Sequence, residues 1–455
     1  MPEGWAWERL KNCCSKEIKR GKSPKYTSQS GTLVFAQKCN TKYGGININL
    51  ALYLDECCLS KYPKDEYMQD GDVVINSTGT GTLGRVGIYK TIDNNLRLPI
   101  VPDSHVTIIR AWNDIHPFYI YAYMKCKQKE LEAKGEGSTN QKELKPLTLK
   151  ELLIPIPPKY EQVRIQEQLT KALSLTEDIE DNKKDILDYI QNIKSKILDL
   201  AIRGKLVPQD PNDEPASVLL EHIRAEKEEL IKKGKIKRDK KESAIFRGVD
   251  NSYYEKIGSK TYCIDEEIPY EIPDAWEWIR LENCCIKEIR RGKSPKYIDE
   301  SNALVFAQKC NTKYNGIDIR LAQYLDESTL GKYPFDEYML DGDIVINSTG
   351  TGTLGRVGIY HSEDNCLNLP IVPDSHVTVI RTHSTIKSIY IYAFMKANQC
   401  ELEQKGEGST NQKELKPLTL KEMLVPIPPY NEQLRITALL TAAFSIMYTL
   451  EKNLR

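Results

Sequence analysis

The chain has 455 residues, a length for two to four domains, with hydrophobic residues at 40%, enough for sizeable cores, and charged residues at 28%. Its 64 Lys and Arg balance 64 Asp and Glu, which argues against a polyanion binder that works through net charge alone. No apolar run approaches the ~18 residues of a membrane span; the opening MPEGWAWERL has no secretory pattern, so the expected location is the cytoplasm.

Residues 1–158 read as mixed β with one helix. DVVIN from Asp72, RVGIY from Arg85 and VTIIR from Val106 are short β-branched runs bounded by Gly, Pro and Asn. FYIYAYMKCKQKELEAKG from Phe118 has helical length and stops at Gly135. The segment closes on LLIPIPP, whose prolines bar a helix or an inner strand. It carries 22 Lys and Arg against 17 Asp and Glu, so any contact with nucleic acid is local and shaped. None of the 12 cysteines stands at a C-x-x-C spacing or in zinc-ligand order, and they read as reduced, mostly packed thiols.

Residues 159–271 begin with a helix. From Tyr160 to Arg203 its length is roughly 65 Å. Ile165, Leu169, Ala172, Thr176, Ile179, Lys183, Ile186, Ile190, Ile193, Ile197 and Leu200 step by four and three, a heptad seam that wants a partner helix. Two readings of Thr176 and Lys183 stand: register-setting polar positions, or ordinary imperfections. A connector follows. EPASVLLEHIRAEKEELIKKG is a helix opened by Pro215 and stopped by Gly234. KKGKIKRDKK from Lys232 has seven basic residues in ten and reads either as a solvated linker or as an arm touching phosphate.

Residues 272–429 repeat the first segment at an offset of 271, without gaps from Trp5 to Pro158. VINSTGTGTLGRVGIY at Val74 returns letter for letter at Val345, and 33 of the 40 positions from Gly71 to Arg110 match their counterparts. A period this long is a duplicated domain, not a solenoid repeat of about 20–50 residues. Residues 430–455 form a second helix in the same phase through Ile436, Leu440, Ala443, Met447 and Leu450. The simplest partner for each helix is the other. The second stops level with Lys184 of the first, so part of the long helix lacks an obvious counterpart. The expected fold class is α+β.

Several motifs fail on context. Gly79, Gly81 and Gly84 match a dinucleotide fingerprint, but the next element reads as a strand, whereas a pyrophosphate sits on a helix N-terminus. GKS at Gly21 lacks the earlier glycine of a phosphate loop, with Lys16 and Lys287 in its place. Pro102-Asp103 with Glu132 and Lys134, repeated as Pro373-Asp374 with Glu403 and Lys405, imitates a magnesium-nuclease signature. Its Glu-x-Lys falls near a predicted helix end, not on a strand beside the aspartate. IPPY at Ile427 lacks the polar residue of an amino-methyltransferase motif. His105 and His376 have no triad partner and read as structural.

What remains is a set of polar, basic and aromatic loop residues, present twice. RGKSPKY supplies Arg20, Lys22, Ser23, Lys25 and Tyr26, then Arg291, Lys293, Ser294, Lys296 and Tyr297. AQKCNTKY supplies Gln37, Lys38, Asn40, Lys42 and Tyr43, then Gln308, Lys309, Asn311 and Lys313. The glycine loop supplies Asn76, Ser77, Thr78, Thr80, Thr82 and Arg85, then Asn347, Ser348, Thr349, Thr351, Thr353 and Arg356. GEGSTNQKEL supplies Ser138, Thr139, Asn140, Gln141 and Lys142, then Ser409, Thr410, Asn411, Gln412 and Lys413. Lys, Ser and Thr suit phosphates, while Asn, Gln and Arg bond base edges. Lys22 is the expected phosphate contact, and Gln37 and Asn76 the expected base readers. Together these loops point to DNA held at two similar ends.

With these features the chain resembles the specificity subunits of type I restriction–modification enzymes. The resemblance rests on the junctions PIPPKYEQVRIQEQL and PIPPYNEQLRITALL, on ILDLAIRGKLVPQDPNDEPASVLLEHIRAEK, and on YEIPDAWEWIRL. It implies target-recognition domains at 1–158 and 272–429, a central conserved helix and connector at 159–271, and a distal conserved helix at 430–455. The two helices would form an antiparallel coiled coil that sets the spacer of a bipartite double-stranded DNA site. The chain itself would be non-enzymatic and hold no cofactor. Two modification subunits would methylate adenine with S-adenosylmethionine, flipping the base out of the stack. Restriction subunits would bring a motor nuclease, with ATP and Mg2+ on the partners and no membrane involved. Family members usually carry dissimilar recognition domains. Near-identical ones related by a pseudo-twofold imply a palindromic or nearly palindromic site. Two other classes compete: a nuclease or methyltransferase acting alone, and a scaffold bridging two protein copies without DNA.

Overall fold

The computed structural model describes residues 1–455 except 43–44, 80, 138–141, 235–242, 314–315, 351, 409–412 and 455. The chain divides into two compact units, Met1–Asp181 and Asn182–Arg455.

In the first unit the strands are β1 (Ala6–Arg9), β2 (Tyr26–Thr27), β3 (Leu33–Phe35), β4 (Leu52–Leu54), β5 (Val73–Asn76), β6 (Val86–Ile88), β7 (Ile100–Pro102), β8 (Val106–Ile109) and β9 (Leu153–Ile156). The helices are α1 (Pro117–Cys126), α2 (Gln128–Ala133), α3 (Pro146–Lys150) and the start of α4 (Lys159–Ile202). The strands form a sheet β2-β4-β3-β7, a sheet β6-β5-β8 and the pair β1-β9. Among these strands β3 and β7 pair in parallel, with Leu33 opposite Ile100. β5 is buried on both faces. Val73 and Ile75 enter one core with Ile109, Ile120 and Met124, and Val74 enters a second with Leu33, Phe35 and Ile108. The two-residue alternation of a strand thus feeds two cores from one run of apolar residues.

The expected single helix after Phe118 is two helices. They meet at Lys127, whose φ of −85° and ψ of 0° leave the α region. The break puts Gln128 against the sheet, where its Oε1 accepts the Val86 N–H at 3.2 Å. The PIP run forms β9, a strand of a two-stranded pair, as its prolines require.

The second unit holds the rest of α4, then α5 (Ala216–Lys232) and an antiparallel sheet of β10 (Ser243–Arg247), β11 (Tyr253–Ile257) and β12 (Lys260–Cys263). The repeat follows as β13 (Glu277–Arg280), β14 (Arg290–Arg291), β15 (Tyr297–Ile298), β16 (Leu304–Phe306), β17 (Gln323–Leu325), β18 (Ile344–Asn347), β19 (Val357–Ile359), β20 (Ile371–Pro373), β21 (Val377–Ile380) and β22 (Leu424–Ile427). Its helices are α6 (Ser388–Ala397), α7 (Gln399–Gln404), α8 (Pro417–Lys421) and finally α9 (Tyr430–Leu454). Pairings repeat those of the first unit, with β14 added at the edge of β21-β18-β19.

α9 lies antiparallel to the C-terminal part of α4. Glu451 accepts from Gln191 at 2.6 Å and from Lys194 at 2.8 Å, while Leu198, Ala201 and Ile202 share a core with Leu440 and Ile436. The seam differs from the heptad reading. Ile190 and Ile197 keep their places, but Ile186 and Ile193 are 44% and 50% exposed. Lys194 and Ala201 take the intervening positions. On α9, Leu450 is exposed and Glu451 is buried. A pattern search that favours apolar residues picks Leu450 and Ile193; the Lys194–Glu451 pair draws the true seam one residue along and fixes its register. α9 is also long and apolar enough by composition to cross a membrane, which departs from the expectation above. Its buried residues Ile436, Leu440 and Met447 line one face, as in a paired helix.

Candidate nucleic-acid interface

The glycine loop closes a hairpin between β5 and β6, so no helix follows to receive a pyrophosphate. Gly79, Gly81 and Gly84 all have positive φ, between 73° and 104°, which only glycine adopts without strain. The loop is fastened from beneath. Asn76 Nδ2 donates to Gln37 O at 3.1 Å, and Asn40 Nδ2 donates to Asn76 Oδ1 at 3.2 Å and to Arg85 O at 3.0 Å. Arg85 donates to Asn40 O at 2.8 Å and to Gly81 O at 3.1 Å. Ser77 Oγ lies 2.6 Å from Thr107 Oγ1.

The other loops gather round it. Gly21 packs so closely on the backbone of Pro102 and Asp103 that an added Cβ would lie 2.3 Å from both carbonyl oxygens. Arg20 pairs with Glu143 at 3.2 Å, joining RGKSPKY to the segment carrying Lys142. Leu144 N donates to Ser77 O at 2.8 Å, and Thr78 Oγ1 is 2.7 Å from His105 Nδ1. Three of the four loops meet through these bonds, and AQKCNTKY joins through Gln37 and Asn40. The second unit repeats each link: Asn311 to Asn347, Arg356 to Asn311 O, Ser348 to Thr378, Arg291 to Glu414 and Thr349 to His376.

The structure separates the nominated residues by burial. Ser23, Lys25, Tyr26, Lys38, Lys42 and Lys142 are exposed, as are Ser294, Lys296, Tyr297, Lys309, Lys313 and Lys413. Arg20, Lys22, Gln37, Thr78, Thr82 and Arg85 are half-buried, as are Arg291, Lys293, Gln308, Thr349, Thr353 and Arg356. Asn40, Asn76 and Ser77 are at most 1% exposed, as are Asn311, Asn347 and Ser348. These six depart from the exposed position expected of contact residues: they are buried and hydrogen-bonded inside the domain, where they shape the loop. Lys22 is tethered too. Its ammonium donates to Lys61 O and lies 5.9 Å from the Tyr62 ring centre. Thr80, Ser138, Thr139, Asn140, Gln141, Thr351, Ser409, Thr410, Asn411 and Gln412 lie outside the described residues, as does Tyr43.

Behind the RGKSPKY loop a buried Glu66 meets Lys19 at 2.9 Å and Lys16 at 3.1 Å. Burial pushes its carboxyl up, yet these lysines outweigh burial and hold it below the usual carboxylate range. Lys396, under the glycine loop of the second unit, is driven down to about 8, first by burial and then by Arg356. Among the described residues no group of three or more His, Cys, Asp or Glu could hold a metal. Asp103 is buried and its Oδ1 accepts the His105 N–H at 2.8 Å, a turn-holding role. Sequence reading passed over Glu143, Thr107 and Gln128, and weighed Glu132 only as part of a nuclease-like motif; all four brace the loops. Their identity in both copies is the signal that marks them.

This pair of loop-bearing α+β domains on a long helix belongs to one family: residues 2–188 and 273–455 match the type I restriction modification DNA specificity domain. The chain is a member of that family. It is 31% identical over 269 residues to the type I restriction enzyme EcoAI specificity subunit of Escherichia coli, a match covering 58% of this chain and 41% of that protein. It is 32% identical over 284 residues to the EcoEI specificity subunit of the same organism, covering 60% and 42%. The matches thus span about two fifths of these relatives' length. A chain from a structural study of the assembly and conformational transition of a type I R-M system superposes with a TM-score of 0.64 at 16% identity, covering 100% of this chain and 93% of that one. The HsdS subunit from Thermoanaerobacter tengcongensis superposes at 0.53 and 15%, with the same coverage. At these identities the superpositions establish the fold alone.

Proposed function

We propose that this chain is the non-catalytic DNA-reading subunit of a type I restriction–modification enzyme. Each recognition domain takes one half of a bipartite double-stranded site, and the paired helices set the spacer. Two modification subunits supply adenine methylation, with S-adenosylmethionine bound to them. Restriction subunits supply ATP- and Mg2+-dependent cleavage.

One observation carries this reading. Both copies of the domain are the same age, yet their exposed residues have diverged unevenly. Away from the loops, several exposed positions differ in chemistry, as Thr27 answers Ile298, Lys64 answers Phe335 and Ile92 answers Glu363, while others such as Glu17 and Glu288 are alike. In the loops, exposed Ser23, Lys25, Tyr26, Lys38 and Lys142 answer identical residues. A shared ligand accounts for the likeness of these exposed side chains. Two equal reading faces call for two equal half-sites, and an interrupted palindrome follows when the domains are related by a twofold.

Selection of random duplex DNA by the assembled complex tests this. The expected product is an inverted, interrupted repeat. Two unrelated half-sites overturn the palindrome. Turnover of DNA by the purified chain alone, with magnesium or with a labelled methyl donor, overturns the non-catalytic reading.

A further inference from the structure

In the second unit a cleft opens between the glycine loop and α7, lined by Gly352, Thr353, Arg356, Gln399, Glu403 and Lys413. Its walls are built by close approach. A Cβ on Gly355 would lie 2.8 Å from the backbone nitrogen of Glu403, so α7 rests directly on the loop. Arg356 is fixed by bonds to Asn311 O and Gly352 O. Gln399 Oε1 accepts the Val357 N–H at 3.2 Å and the Lys396 ammonium at 2.7 Å. Two donors on one oxygen settle the amide's orientation and turn its NH2 toward Glu403. Gln399 Nε2 donates to Glu403 Oε1 at 3.0 Å.

Glu403 is exposed, and among the described residues it makes no salt bridge. It is the one carboxylate lining a cleft that also holds Arg356, Lys313 and Lys413. A negative charge here opposes phosphate, which is a cost on any DNA-facing surface. Even so, the arrangement is kept in both copies. Gln128 Nε2 donates to Glu132 Oε1 at 3.2 Å, and Gly84 abuts the Glu132 backbone in the same way. On the same short helices Lys129 answers Cys400 and Ala133 answers Gln404, while Glu130 and Leu131, like Gln128 and Glu132, answer identical residues. A carboxylate oxygen accepts hydrogen bonds and donates none. In duplex DNA the base groups that donate in the major groove are the cytosine N4 and adenine N6 amines.

We propose that Glu132 and Glu403 are specificity-determining residues, each accepting the exocyclic amine of one cytosine or adenine in its own half-site. The proposal rests on the DNA-reading function above. Gln128 and Gln399 position the carboxylates, and the cations around them meet the adjoining phosphates.

The test uses the full chain assembled with its modification subunits and a selection from random duplex DNA. E403Q exchanges an acceptor for a group that also donates, at equal size and on an exposed position. The expected consensus for E403Q loses its preference at one cytosine or adenine in one half-site by roughly ten-fold. The other half-site, read by the unchanged first domain, stays as in the wild type. E132Q does the converse, and the double variant relaxes both. Whether the relaxed position held cytosine or adenine identifies the base. An unchanged consensus for all three variants overturns the proposal, and so does loss spread evenly over every position. A wild-type complex that selects no consensus defeats the DNA-reading function itself, a result distinct from either.

Discussion

Trp7 and Trp278 occupy the same place in the two copies, on β1 and β13, yet Trp7 is 53% exposed and Trp278 is fully buried. The difference lies outside the repeat. Ile245 from β10, with Ile264, Tyr253 and Tyr270, packs over Trp278. The arginines beside them diverge in the same way. Arg9 pairs with Glu151 in the open, both side chains more than 40% exposed. Arg280, at 12%, meets Glu255 at 2.6 Å and Glu267 at 2.9 Å. One strand sequence therefore serves as surface in one domain and as core in the other, and its context decides its energetic weight.

Truncating the tryptophans gives the widest contrast. Trp278→Ala should cost about 3–5 kcal/mol in the second domain, whereas Trp7→Ala should stay within about 1 kcal/mol in the first. Denaturant unfolding followed by hydrogen exchange resolves the two domains. Equal losses would mean that the sheet β10–β12 adds nothing to the stability of its neighbour. Trp278→Phe should recover most of the loss, since the buried indole N–H has no partner among the described residues.

The arginine pair follows. Arg280→Ala strands Glu255 in a buried position and should cost roughly 3 kcal/mol. Arg9→Ala breaks a solvated pair and should cost under about 1 kcal/mol. Acid supplies an independent check. Burial raises the Glu255 carboxyl, but its bonds to Arg280 outweigh burial and leave it below the usual carboxylate range. A depressed value in the fold means the pair stabilises fully above the unfolded Glu range of ~4.3. That contribution is lost as pH falls through the lower folded value. Amides of β10–β12 should thus lose protection in acid before those of β18 and β21, and simultaneous loss would count against the pair as the fastening.

The helices extend the lesson to what a sequence can disclose. The repeat, its offset, the hairpin that carries the glycine loop and the existence of both helices are all legible, because periodicity and glycine placement are local. The seam is not, because Lys194 and Glu451 are charged and only their mutual contact makes them interior. The buried roles of Asn40, Asn76 and Ser77 are hidden for the same reason. A polar residue in a loop looks like a ligand contact until its hydrogen bonds are seen to close within the domain. The cover on Trp278 comes from residues 243–270, outside the repeated segment, which a comparison of the copies would not foretell. Lys194→Ala should cost roughly 1–3 kcal/mol by leaving Glu451 buried with Gln191 alone. Ile193→Ala and Leu450→Ala, on the seam the heptad favours, should change melting little. The opposite ranking would restore the heptad seam.

The smallest effect on stability is the sharpest test of equivalence. Lys38 and Lys309 are both exposed, on loops whose internal bonds match, in domains whose far surfaces do not. Lys→Ala at either should leave folding within about 0.5 kcal/mol. If each contacts one phosphate, each should weaken binding of the assembled complex to all duplexes alike and lower the salt slope by about one. The two single variants should match, and the double variant should lower the slope by about two. Equal losses would mean that the reading faces act as twins although their surroundings differ. A loss from Lys309→Ala alone would mean that the covered domain dominates DNA contact, and the symmetry of the loops would then not extend to binding.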